Sequence, residues 1–132
     1  LDTIAFTFPD LKLIGAHLGI GYYDLAAHVA RWRRNVFFDI SGGEMVRRHM
    51  IERHLVPSEI SHYKLLYGSD NNERFAEEIR DWQTIFDLLR LGHEERERIF
   101  YGNAARLFGI IPTVASTVTV PEPAGAATGD GE

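Results

Sequence analysis

Val36-Phe37-Phe38-Asp39-Ile40 is a short run of apolar, aromatic and β-branched residues broken by one carboxylate, and Ser41-Gly42-Gly43 closes it. A run this apolar, bounded by a turn, reads as a buried strand, with Ser-Gly-Gly as its exit turn. Working outward, two similar stretches flank it. Upstream, Leu11-Lys12-Leu13-Ile14-Gly15-Ala16 begins after Pro9-Asp10, where proline interrupts whatever precedes it. Downstream, Tyr63-Lys64-Leu65-Leu66-Tyr67-Gly68 is the third strand candidate.

The segments between these runs carry a different period. Tyr22, Leu25, Ala26, Val29 and Ala30 recur at helical spacing and form one apolar face. That helix ends in Arg31, Arg33 and Arg34, cations at the negative end of the helix dipole. Residues 44–54 read as a second helix, with Met45, Val46 and Met50 inside and Arg47, Arg48 and Arg53 outside; Pro57-Ser58 then opens a connector. Phe75, Ile79, Trp82, Phe86 and Leu89 mark a long helix from about Glu73 to Leu91, with Gly92 placed as its C′ residue. Glu94 to Tyr101 and Asn103 to Phe108 read as two helical pieces around Gly102, the second ended by Gly109. Residues 1–7 are apolar enough to be the tail of an earlier helix. The resulting order, β-α-β-α-β-α-α, predicts an α/β fold with parallel strands and flanking helices. From 111 to 132 the chain is dominated by Pro, Thr, Val, Ala and Gly without a helical stripe, and a disordered tail is expected there.

Composition narrows the functional classes. The chain has 132 residues, a net charge of −5, 45% hydrophobic and 25% charged residues, the balance of a soluble globular chain. An acidic chain is a poor candidate for nucleic-acid binding through phosphate neutralisation. No apolar run approaches the roughly 18 residues of a membrane span, and the N-terminus lacks the form of a signal peptide, so a cytoplasmic protein without nucleic-acid or membrane partners is expected. Cysteine is absent, which removes disulfides and thiolate metal ligands. Leu1 stands where an initiator Met would, so a processed or truncated chain is expected.

Parallel strands deliver all their C-terminal ends to one rim, where functional residues of such folds lie. His17 follows the first strand candidate, Asp39 and Ser41 close the second, and Asp70 follows the third within Gly68-Ser69-Asp70. Imidazole and carboxylate at one rim suit a divalent metal and equally suit general acid–base chemistry. The competing structural reading has His17 capping a loop and Asp70 capping the helix that opens near Asn72.

Four stretches together carry a family resemblance. They are Phe8-Pro9-Asp10-Leu11-Lys12-Leu13-Ile14-Gly15-Ala16-His17-Leu18-Gly19, Asn35-Val36-Phe37-Phe38-Asp39-Ile40-Ser41-Gly42, Leu65-Leu66-Tyr67-Gly68-Ser69-Asp70 and Ile99-Phe100-Tyr101-Gly102-Asn103-Ala104-Ala105-Arg106-Leu107-Phe108-Gly109. In this order the chain resembles the C-terminal part of the amidohydrolase superfamily, in the branch containing aminocarboxymuconate-semialdehyde decarboxylase and related decarboxylases and hydrolases. The resemblance implies that residues 1–110 are strands six to eight of a (β/α)8 TIM barrel, with 111–132 as the tail. It implies a metal-dependent hydrolase or non-oxidative decarboxylase acting on a small carboxylated or cyclic substrate. The cofactor is a divalent ion, zinc first, with iron or manganese as alternatives. Carried over by position, Asp70 is the metal ligand of the last strand, also placed to relay a proton from metal-bound water. His17 is the catalytic histidine that polarises substrate or activates water. Asp39 and Ser41 match only a structural part of the motif.

Two departures stand beside the resemblance. Asn71-Asn72 follows Gly-Ser-Asp where relatives often place an aromatic residue and a proline. The family's His-x-His on the first strand and its fifth-strand histidine have no counterpart, so the chain is expected to begin after the fifth strand and to be inactive by itself. A homo-oligomer is compatible with this expectation, and a non-catalytic partial barrel that associates with another chain is the alternative. Of the other histidines, His28, His49 and His54 are expected at helix surfaces or ends, and His62 and His93 in connectors. Arg31-Trp32-Arg33-Arg34 is read as a helix end, and Trp82 as core.

Overall fold

The computed structural model describes residues 1–70 and 73–110; the expected tail at 111–132 and the Asn71-Asn72 pair lie outside them. Three strands, β1 (Leu13–Gly15), β2 (Val36–Asp39) and β3 (Leu65–Leu66), pair in parallel in the order β1-β2-β3. Leu13 is in register with Val36 and Gly15 with Phe38, while Phe38 pairs with Leu65 and Asp39 with Leu66. The helices are α1 (Asp2–Thr7), α2 (Tyr23–Trp32), α3 (Gly43–Glu52), α4 (Leu55–Ser58), α5 (Phe75–Leu88), α6 (His93–Glu97) and α7 (Asn103–Phe108). This is the α/β arrangement expected from the sequence, and it is consistent with part of a TIM barrel.

Side chains of a strand alternate between faces, and here the alternation separates two environments. Leu13, Val36, Phe38, Ile40 and Leu65 share the face that joins the main core, with Ala26, Val29 and Ala30 of α2, Val46 and Met50 of α3, and Trp82, Ile85 and Phe86 of α5. Ile14, Phe37, Asp39 and Leu66 take the opposite face by register and by alternation. Phe37 is buried there beneath the Lys64 ammonium, 4.9 Å from the ring centroid. Trp82 is buried as expected.

Lys64 also explains why β3 is shorter than its apolar run. Its Nζ donates to the carbonyls of Arg33 at 2.7 Å, Arg34 at 3.0 Å and Val36 at 3.2 Å. Residues His62–Lys64 accordingly form a 3-10 turn beside the start of β2, and only Leu65 and Leu66 remain in the ladder. Burial, with Lys12 and Arg106 nearby, lowers the Lys64 pKa.

Two asparagines fasten the ends of the fold. Asn35 Nδ2 donates to the carbonyls of Ala5, Phe8 and Leu11, tying α1 and the loop after it to the entry of β2. Asn103 Nδ2 donates to the carbonyls of His62 and Leu65 at 2.7 and 2.8 Å, tying α7 to β3. Both are buried, and each satisfies one wholly buried backbone acceptor, the Ala5 carbonyl for Asn35 and the Leu65 carbonyl for Asn103, besides part-buried ones. Between α3 and α5, Arg47 and Glu78 form a 2.6 Å ion pair.

The helix ends depart from expectation in instructive ways. Gly92 does not end the long helix. Arg90 takes the left-handed conformation (φ 57), the Leu91 amide donates to the Phe86 carbonyl, and the Arg90 amide donates to the Asp87 carbonyl. This is a Schellman ending with arginine in the glycine position, and burial of the Leu91 side chain seals it. Gly92 instead opens α6, where its amide donates to Glu95 Oε2 at 2.7 Å. Gly109 does end α7 in the left-handed region. Around Gly102 the expected break is absent: a π turn, Arg98–Gly102, joins α6 to α7. Pro57-Ser58 belongs to the short α4 and not to a connector. On α2 the buried strip is Ala26, Ala27, Val29 and Ala30, whereas Tyr22 and Leu25 are exposed. The helix begins only at Tyr23, and Gly19 approaches it closely enough that a Cβ there would lie 2.7 Å from the Ala26 methyl. Met45, expected inside, is exposed on α3.

Candidate active site at the strand C-termini

β1 runs into a 3-10 turn, Ala16–Gly19, that carries His17. His17 (φ 52) and Leu18 (φ 52) both adopt left-handed backbone conformations, which cost about 1–2 kcal/mol each for residues bearing a Cβ. Two features offset that cost. The Leu18 side chain is fully buried in the core, and the His17 amide donates to Asp39 Oδ1 at 3.0 Å.

Asp39 sits at the end of β2, and its Oδ1 gathers three donors. Besides the His17 amide it accepts from the Ser41 amide at 3.1 Å and from the Ser41 hydroxyl. Ser41 is buried, and its Oγ lies 2.8 Å from His17 Nδ1. Gly42 completes the pocket around the histidine. Its φ is +94, and a Cβ there would stand 2.9 Å from the His17 Cβ and 2.9 Å from Val46 Cγ2. Neither the conformation nor the space admits another residue without displacement.

β3 meets the same cluster through Gly68. A Cβ at Gly68 would lie 3.4 Å from Ser41 Cβ and 3.7 Å from Asp39 Cβ, so the chain leaving β3 runs against the Asp39–Ser41 turn. Asp70 follows two residues later, exposed and with φ 55. Adjacent strands are separated by about 4.8 Å, so β1 and β3, on either side of β2, lie roughly 10 Å apart. His17 and Asp70 therefore leave the same rim, with Asp39 and Ser41 between them. The hydrogen-bonded group is His17, Asp39 and Ser41; Asp70 stands outside it. Tyr67, beside Gly68, packs against Phe75 and Phe100, and burial, with Glu78 nearby, pushes its phenol pKa up.

The remaining histidines stand apart from this group. His28, His54 and His93 are exposed. His62 pairs with Glu95 at 3.5 Å. His49 lies in the last turn of α3, at a helix end as expected, but half-buried: it stacks on Tyr23 with ring centroids 3.9 Å apart, and its Nε2 is buried without a hydrogen-bond partner among the described residues. The basic stretch 31–34 is used structurally in part, with Arg33 paired to Asp2 at 2.6 Å and Arg31 donating to the Glu59 carbonyl at 3.1 Å.

Among the described residues no group of three or more His, Cys, Asp or Glu side chains could hold a metal ion. Zinc takes three or four protein ligands, so the described residues do not make the expected divalent centre by themselves. What the rim offers chemically is an oriented imidazole and a separate carboxylate. No helix among the described residues is long and apolar enough to cross a membrane.

The roles of Asp39 and Ser41 in holding His17 were missed in reading the sequence, although the Asp-x-Ser spacing that lets a carboxylate accept from the amide two residues on was visible. The anchoring by Asn35 and Asn103 carries no local signal, because its acceptors lie 24 to 41 residues away. Compared with known proteins, residues 1–110 match the model of the amidohydrolase family. No curated protein and no solved structure matches. With a family match over most of its length and a parallel sheet that brings the motif-bearing ends together, this chain belongs to the amidohydrolase family.

Proposed function

We propose that the chain forms part of the active rim of a metal-dependent hydrolase or non-oxidative decarboxylase in the aminocarboxymuconate-semialdehyde decarboxylase branch, with its strands as six to eight of the barrel. The substrate is a small carboxylated or cyclic compound, and the compartment is the cytoplasm. What supports this reading is a parallel sheet, in a chain of this family, whose β1 leads at its C-terminal end into His17 and whose β3 leads at the same end into Asp70. His17 holds or moves a proton at the reacting atoms, or polarises the substrate. Asp70 contributes one carboxylate to a divalent ion, zinc in the first instance, whose other ligands come from beyond the described residues.

The test uses an active protein that contains this segment within a full set of strands. His17→Ala is expected to lower turnover by about 10²–10⁴-fold, the scale of a lost acid–base group, and to leave metal content unchanged. Asp70→Asn is expected to lower metal content. Full turnover in the His17 variant, or full metal content in the Asp70 variant, would remove the corresponding role. The 132-residue chain alone is expected to bind zinc weakly, and stoichiometric zinc on it would overturn the ligand assignment.

A second reading, a non-catalytic partial barrel pairing with another chain, draws on a different observation: Ile4, Phe6, Phe8, Leu11 and Ile14, running from α1 through the following loop into β1, are all 40% exposed or more. A purified full-length gene product with no turnover and a fixed association state would favour it.

A further inference from the structure

We infer that Asp39 and Ser41 are positioning residues that hold His17 in one tautomer, with the proton on Nδ1 and the lone pair on Nε2. The inference rests on the proposed proton-handling role of His17 for its consequence, but on the hydrogen-bond network alone for its content.

The network leaves one assignment. A carboxylate has no proton to give, so every contact at Asp39 Oδ1 is accepted there. The Ser41 hydroxyl has one proton, and it is spent on Asp39 Oδ1. Toward His17 Nδ1, 2.8 Å away, the serine oxygen therefore offers only a lone pair. The ring nitrogen facing it must be the donor. In a neutral imidazole the other nitrogen then carries the lone pair. No described residue hydrogen-bonds His17 Nε2, so that nitrogen is free to accept a proton from substrate or water.

The geometry around the ring supports a built device and not a chance contact. The same carboxylate oxygen that orients the Ser41 hydroxyl also binds the His17 backbone amide and so fixes the residue's left-handed conformation. Gly42, held at φ +94, gives the ring its space. Main chain and ring of His17 are thus set by one acceptor, directly and through one hydroxyl. A histidine side chain free in water prefers the opposite tautomer, with the proton on Nε2. The network therefore does work that an unconstrained side chain would not do for itself: it presents Nε2 as a base.

Ring nitrogen NMR of the ¹⁵N-labelled full chain tests this. Spectra are recorded above the ordinary imidazole range, at about pH 8, and His17 is assigned by the signal lost in His17→Gln. The expected result is Nδ1–H for His17. Ser41→Ala is expected to move the ring toward the Nε2–H form, and Ser41→Thr, which keeps the hydroxyl, to preserve the original pattern. An Nε2–H signature in the unsubstituted chain would overturn the inference even if Ser41→Ala does not fold. So would a Ser41→Ala spectrum identical to the parent. In an active protein, Ser41→Ala is expected to lower turnover by about 10–100-fold, the scale seen when a group that orients a metal-site histidine is lost, with rescue by Ser41→Thr. Nδ1–H in the full chain together with undiminished turnover of His17→Ala would leave the tautomer standing and sink the catalytic role, so the two failures are separable.

Discussion

Ser41 Oγ stands 2.8 Å from Nδ1 of His17, a residue 24 positions earlier in the chain, and the same hydroxyl donates to Asp39. The contact joins the exits of two neighbouring parallel strands. It turns one carboxylate oxygen into the organiser of the rim, because the His17 amide, the Ser41 amide and the Ser41 hydroxyl all end on it.

Asp39→Ala removes the shared acceptor and leaves those donors without it. Each partly buried donor stranded in this way costs about 1–3 kcal/mol, so losing the acceptor shared by three of them is expected to cost about 3 kcal/mol or more on that scale. Urea unfolding would measure it. The His17 amide should also lose protection from hydrogen exchange, and protection equal to the parent's would show that the carboxylate does not hold the turn.

Gly42→Ala places a methyl group 2.9 Å from the His17 Cβ at a backbone angle that L-residues avoid. A stability loss of about 1–3 kcal/mol is expected, with shifted resonances centred on His17 and Val46. A spectrum altered elsewhere but not at these residues would contradict the packing described.

Asn103→Ala strips the donor from the His62 and Leu65 carbonyls, one of these contacts being wholly buried. The expected loss is about 1–3 kcal/mol. Because the contacts join α7 to β3, limited proteolysis of the variant should release the C-terminal helix first. Unchanged resistance at α7 would count against the anchoring role.

His49 makes stability depend on pH. Burial of the ring, and then the Arg53 charge, lower its pKa below the ordinary 6.5, although Asp24, Glu59 and Glu52 pull the other way. In the window between the lowered folded value and about 6.5, the unfolded chain binds the proton that the folded chain refuses. Stability from this group therefore rises with pH through that window and is lost as pH falls through it. His49→Phe keeps a ring against Tyr23 and removes the titration. Between about pH 7.5 and 5.5 the unfolding midpoint of the parent should fall relative to that of His49→Phe. A constant difference between them would refute the linkage.

Much of the framework was legible in the residues. Short apolar runs at Val36–Ile40 and Leu65–Leu66, and the stripe through Trp82 and Phe86, identify strands and a helix because burial imposes the period of the backbone on the sequence. The alternation of such segments points to parallel pairing, and the strand ends locate His17 and Asp70 on one rim. The helix ends were less legible. Gly92 looked like a terminator, yet Arg90 takes the left-handed position because the Leu91 side chain beyond it is buried and fixes where the chain turns.

What only the tertiary structure decided is how the rim is wired. The left-handed turn at His17 and Leu18 runs against local preference and persists through a hydrogen bond to Asp39 and the burial of Leu18. Lys64 shortens β3 by turning to three carbonyls at the start of β2, about 30 residues away in sequence. Asn35 and Asn103 close the ends of the fold through backbone oxygens 24 to 41 residues away along the chain. Sequence by itself determines the elements and their order, since these follow from which faces must leave water. Which polar group meets which depends on contacts between segments far apart in the chain, and these exist only once the sheet has assembled.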